Sequence, residues 1–196
     1  MINSEPVGRQ YTLPAKNPCI NYMIKGGVGG ANTQTGIKFE KRVDILTLLA
    51  EQKGYSIKGK SVYFDGKEVA KSYQKGALYK YLSEQGVDYK ALLSKKLLPD
   101  EAILVDANRT LFIIEMKFQV IAGSVDEKLQ TCDFKRKQYT KLLAPLAINV
   151  EYIYLLSDWF EKPEYEDVLA YIHSVGCHYY FNSLSLETLG LPVSKN

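Results

Sequence analysis

Only two histidines, three cysteines and one tryptophan occur among the 196 residues of this chain. Each scarcity removes a class of function. His173, Cys177 and His178 lie close together, but a structural zinc site takes four ligands at recognisable spacing, and no fourth stands nearby. So few histidines also leave no histidine–acid–nucleophile set for covalent catalysis. Cys19, Cys132 and Cys177 are odd in number and widely spaced, in a chain long enough to bury a core without cross-links. A cytoplasmic, reducing location is therefore expected. No apolar run approaches the ~18–20 residues of a membrane span, so no membrane partner is expected. Residues 1–16 hold no apolar stretch of the kind a secretory signal needs. Neither charge sign dominates: Lys plus Arg number 25 and Asp plus Glu 22, for a net charge of +3. That balance permits nucleic acid as a partner without arguing for it. At 46% apolar and 24% charged residues, the composition is that of a globular domain, which excludes disorder, collagen and coiled coil as the overall class.

Two domain-level segments stand out. Residues 1–36 read as an irregular arm, interrupted by Pro6, Pro14 and Pro18 and carrying the loop Gly26-Gly27-Val28-Gly29-Gly30. That loop lacks the Gly-Lys-Ser/Thr ending of a nucleotide-binding loop. Its backbone freedom, with the small polar Asn32 and Thr33 after it, suits close approach of main-chain N–H groups to phosphate. Gly27, Gly29, Asn32 and Thr33 are thus candidate DNA contacts. Thr35 is the expected cap of a helix that starts at Ile37 and stops at Gly54.

Residues 37–196 read as the main domain, with an insertion at about 55–95. Asp65-Gly66 between short apolar runs predicts a hairpin. A short helix is expected over 75–85, strands over 102–105 and 111–117, and a turn at 106–109 between them. A long helix is predicted over 125–143, ended by Pro145. A buried strand over 150–156, a helix over 163–174, a strand over 177–181 and a closing helical turn over 184–189 follow. This order gives an α/β, or mixed α+β, fold with helices on the faces of a central mixed sheet.

The sharpest feature is Pro99-Asp100 followed by Glu115-Met116-Lys117. Strand periodicity points Glu115 and Lys117 to one face. If the two strands pair through the 106–109 turn, Asp100 falls beside Glu115, so two carboxylates and an ammonium converge at one end of a hairpin. Hard carboxylate oxygens suit Mg2+. A cation held there polarises a phosphoryl oxygen and acidifies its water, and Lys117 stabilises the developing negative charge. The run Leu111-Phe112-Ile113-Ile114 marks a deeply buried strand, after which Glu115, Lys117 and Gln119 need partners. Two buried carboxylates would repel, so removing one is expected to raise the melting temperature in metal-free buffer.

With fourteen residues between its halves, this Pro-Asp…Glu-x-Lys pattern resembles the PD-(D/E)XK nuclease superfamily, and within it the type II restriction endonucleases. The resemblance spans roughly residues 36–160. It implies a restriction-endonuclease-like sheet flanked by helices. It implies that Asp100 and Glu115 ligate Mg2+, that the Met116 carbonyl joins them, and that Lys117 is catalytic. Glu40 matches the family's upstream helical glutamate, Gln119 a further polar position, and the helix from Val125 the one that follows the active-site strands. Glu101, directly after Asp100, could replace or assist it as ligand. The implied partners are double-stranded DNA and, because a two-fold assembly matches a duplex, a second copy of the chain as a homodimer. A junction resolvase or repair nuclease of the same superfamily, and a non-catalytic DNA-binding module of the same fold, remain as alternatives.

On the long helix, Lys128, Lys135 and Arg136 are candidate phosphate contacts, against the alternative of a solvated face balanced by Asp126, Glu127 and Asp133. Fifteen tyrosines are many for this length. Those in the strands are core residues by expectation. Those mixed with lysines in the insertion suit either a DNA-facing surface or a small subdomain.

Overall fold

A computed structural model describes residues 36–38, 44–119 and 125–194. The described residues belong to the compact unit Thr33–Asn196. Its elements are β1 (Gly36–Lys38), α1 (Ile45–Ala50), β2 (Tyr55–Lys58), β3 (Ser61–Phe64), β4 (Lys67–Ser72), α2 (Gly76–Glu84) and α3 (Tyr89–Leu92). Then come β5 (Glu101–Val105), β6 (Thr110–Lys117), α4 (Val125–Leu129), α5 (Cys132–Leu143), β7 (Asn149–Leu156), α6 (Glu166–Ser174), β8 (His178–Phe181) and β9 (Ser183–Ser185).

Seven strands form one mixed sheet in the order β2-β3-β4-β5-β6-β7-β8. Pairing is antiparallel from β2 to β6 and parallel from β6 to β8. The switch to parallel pairing follows from the long connection through α4 and α5, which carries the chain back to the start of β7. Residues 55–95, read as an insertion, supply β2, β3 and β4 of this same sheet together with α2 and α3. The Asp65-Gly66 turn forms as expected: φ is 47° at Asp65 and 80° at Gly66, the double positive-φ geometry that matches strand twist.

The central strands are apolar on both faces, and each alternate set joins its own core. Leu111 and Ile113 of β6 pack with Leu78, Leu82, Tyr139, Leu142, Tyr152 and Ile172. Phe112 and Ile114 pack with Ile45, Leu49, Ile103, Ile153, Leu155 and Leu189. A buried central strand needs such a continuous run. Cys132 and Cys177, distant in sequence, are free thiols that meet in the first of these cores.

Four expectations need correction. The first helix does not start at Ile37. Residues 36–38 form β1, paired with β9 at Ile37 and Leu184, and α1 begins at Ile45, where the Asp44 carboxylate accepts from Leu46 N–H at 2.9 Å. The sequence allows this: Ile37 has Glu40 and Lys41 at the helical positions, whereas Ile37 and Phe39 alternate as in a strand. Second, the helix over 125–143 is broken between α4 and α5. The Lys128 carbonyl accepts from Thr131 N–H at 3.2 Å, the Thr131 hydroxyl at 2.7 Å and the Tyr154 hydroxyl at 2.9 Å. Capture of that carbonyl by donors outside the helical ladder interrupts the helix. Third, residues 163–165 form a separate 3-10 turn before α6. Fourth, 183–185 is a strand, following its Ser-Leu-Ser alternation, and the turn begins at Leu186.

Candidate active site

The β5–β6 pairing sets the site. Glu101 stands opposite Ile114, which brings the preceding Asp100 to the Glu115 end of β6. Glu115 and Lys117 continue the Leu111 and Ile113 face of the strand, the face covered by α5. Asp100, Glu115 and Lys117 are thus brought together. The Lys117 ammonium lies 2.9 Å from Glu115 Oε2 and 3.7 Å from Asp100 Oδ2, bridging the two carboxylates. It also sits over the Tyr154 ring, 5.9 Å from the centroid. Asp100 is half exposed, while the Glu115 side chain is only 7% exposed.

A second ammonium completes the cluster. Lys135 reaches in from α5 and touches both Glu115 oxygens, at 2.7 and 2.8 Å. Burial pushes the Glu115 carboxyl up, but the ammoniums of Lys117 and Lys135 outweigh burial and hold it below the ordinary carboxylate range. Behind it, burial, with the Glu115 charge added, raises the Tyr139, Tyr152 and Tyr154 phenols and keeps them neutral. The Tyr152 hydroxyl lies near Glu115 and Tyr154 but makes no well-formed hydrogen bond with a described residue. The expectation of two repelling carboxylates is therefore wrong for Glu115. Its environment is cationic.

Sequence reasoning placed Lys135 on a phosphate-facing surface and missed this contact. The signal was present. Cys132, Lys135, Tyr139 and Leu142 are spaced three, four and three apart, so Lys135 lies on the apolar stripe of α5. A charge on such a stripe needs a partner.

Glu101 does not compete for the position of Asp100. It follows Ile103 and Val105 onto the opposite, α1-facing side of the sheet. There the Gln74 amide donates to Glu101 Oε2 at 2.6 Å and to Asp44 Oδ1 at 2.8 Å. Asp44 and Gln74 were also missed, although an Asp directly before an apolar helical run is a cap signal. Burial raises the Glu101 carboxyl to about 7 against the pull of the Gln74 bond, and Asp44 and Asp100 push it the same way. Unfolded, the group titrates near 4.5. Between those values the native protein holds a proton that the unfolded chain has lost, so stability falls as pH rises. In metal-free buffer the urea midpoint of the wild type should drop between about pH 5 and pH 8, and that of Glu101→Gln should drop less. Parallel curves for the two proteins would refute this account.

Asp44, Gln74, Lys75, Asp100, Glu101, Met116, Lys117, Phe118 and Lys128 line a cleft of about 590 Å3 at this end of the sheet. The Lys128 side chain is exposed along it. The Met116 side chain packs on the α1-facing core. The Ser157 hydroxyl accepts from Gln119 N–H at 3.3 Å and donates to the Gln119 carbonyl at 3.4 Å, and the buried Gln119 side-chain amide has no partner among the described residues. Arg136 is not brought to the carboxylates. Its guanidinium packs on Gly176, where an added Cβ would lie 3.3 Å from Nη2. Adjacent helical residues point about 100° apart, so Lys135 and Arg136 diverge. Gly27, Gly29, Asn32, Thr33, Thr35 and Glu40 lie outside the described residues.

Carboxylates and an amide oxygen are the donors Mg2+ prefers, so the chemistry of the cleft fits that cation. Among the described residues, however, no three Asp, Glu, His or Cys side chains are gathered closely enough to enclose a metal ion. None of the described helices is long and apolar enough to cross a membrane. Comparison with protein-family models, with curated proteins and with solved structures finds no match to this chain.

Proposed function

We propose that this chain is a Mg2+-dependent endodeoxyribonuclease of the PD-(D/E)XK type, acting as a type II restriction enzyme on a short site in double-stranded DNA. One observation carries the reading. Asp100, Glu115 and Lys117, distant halves of a short motif, converge at one end of paired strands, where Asp100 and Lys117 line a cleft. The order of hairpin, helix and parallel strand agrees with the restriction-endonuclease-like fold that the motif implies.

In this reading Asp100, Glu115 and the Met116 carbonyl hold the cation. Bound there, Mg2+ supplies Lewis-acid polarisation of the phosphoryl oxygen and a more acidic water. Lys117, placed against both carboxylates, stabilises negative charge on the phosphoryl group as water attacks. Hydrolysis is direct, with no covalent enzyme intermediate. The exposed Lys128 contacts backbone phosphate along the cleft. A homodimer places one such site on each strand of a two-fold symmetric duplex.

Digestion of phage DNA in Mg2+ and in EDTA tests the proposal. Discrete fragments in Mg2+ and none in EDTA are expected. A smear points to a nuclease without site preference, and intact DNA under both conditions refutes the enzyme.

A further inference from the structure

The Lys135 ammonium holds both oxygens of the carboxylate that the cation needs. A carboxylate has about four acceptor positions. Lys135 and Lys117 together fill three of those on Glu115. The local charges also cancel: Asp100 and Glu115 against Lys117 and Lys135. A neutral cluster attracts a divalent cation weakly, while the same cluster without Lys135 carries a net negative charge.

We propose that Lys135 guards Glu115, so that a divalent cation takes this carboxylate only by displacing the lysine. The inference rests on the reading of Asp100 and Glu115 as cation ligands. Glu115 is the fixed member of the pair, on a central strand and 7% exposed. Lys135 is the movable one, 25% exposed and carried on a flexible four-carbon stem. An arriving phosphodiester supplies the exchange. Its negative oxygens take up the released ammonium, and Glu115 becomes free for the metal. Metal and DNA therefore strengthen each other's binding by the same factor. A cation guarded in this way is bound weakly until substrate is present, which limits stray hydrolysis.

Mn2+ binding to the full chain without DNA, followed by the electron paramagnetic resonance of free Mn2+, provides the test. Lys135→Met should bind Mn2+ on the order of tenfold more tightly than the wild type, the scale on which groups bonded to a metal ligand tune affinity. Lys135→Arg keeps the positive charge and should show no gain. Adding Glu115→Gln to Lys135→Met should erase the gain. Lys135→Gln is a second neutral variant should the methionine protein fold poorly, and melting curves qualify each protein. Unchanged or weaker Mn2+ binding by the folded neutral variants overturns the guard. The two readings fail separately. Wild-type cleavage of DNA with no gain in Lys135→Met sinks the guard and leaves the nuclease. A gain in Mn2+ affinity without any wild-type cleavage upholds the guard and sinks the nuclease.

Discussion

Lys117→Ala should abolish DNA cleavage in Mg2+ while leaving the DNA bound. The Lys117 ammonium is held in place by Glu115 at 2.9 Å and Asp100 at 3.7 Å and is 15% exposed, so it is preorganised in a partly dry setting. A charge so placed stabilises a developing phosphoryl anion without reorganising, and losing one such group costs on the order of a hundredfold or more in rate. Binding depends on other contacts, because phosphate neutralisation along the duplex is spread over several basic side chains. Gel mobility shift in Ca2+ should therefore give a similar dissociation constant for Lys117→Ala and the wild type. Single-turnover cleavage in Mg2+ should differ by that hundredfold or more. Asp100→Ala should be equally inactive, yet it should melt like the wild type. Its side chain is half exposed and, among the described residues, makes one long ion pair, a contact worth little. Near wild-type cleavage by Lys117→Ala or Asp100→Ala would place the active site elsewhere.

The motif was legible because it needs only local facts. A buried apolar run fixed β6, period two put Glu115 and Lys117 on one face, and a short turn brought Asp100 beside them. Glu101 was ambiguous until the register placed it with Ile103 and Val105 on the other face. The same period-two rule, applied to 101, 103 and 105, would have settled it. Lys135 and Gln74 were not legible as site residues by spacing along the motif, since each arrives from a separate element and its role depends on helix rotation against the sheet. The burial stripe of α5 held the only sequence trace, a lysine between Cys132 and Tyr139. The break between α4 and α5 had no local signal beyond Thr131. It depends on the Tyr154 hydroxyl, 26 residues away in the chain, reaching the Lys128 carbonyl.

Glu115→Ala should both abolish cleavage and destabilise the protein, unlike Asp100→Ala. Removing the carboxylate strands the Lys135 ammonium, 25% exposed, and leaves that of Lys117, 15% exposed, with only its long contact to Asp100. Breaking a buried pair by deleting one partner costs about 3 kcal/mol, because the remaining charge keeps its desolvation penalty. For a domain of this size that corresponds to a fall of roughly 10 °C in melting temperature. The pH dependence follows from the same contacts. With its carboxyl held below the ordinary range, Glu115 contributes stability that is fully present above its unfolded value of about 4.5 and is lost as pH falls through the native value. On acidification below about pH 5 the wild type should thus lose more stability than Glu115→Ala, narrowing the gap between them. Adding Lys135→Met to Glu115→Ala removes one stranded ammonium and should restore part of the lost melting temperature, a coupling that a double-mutant cycle in metal-free buffer measures. Should Glu115→Ala melt at or above the wild type, carboxylate repulsion would govern the site after all, and the pairing of Glu115 with the two lysines would not be what holds it in the fold.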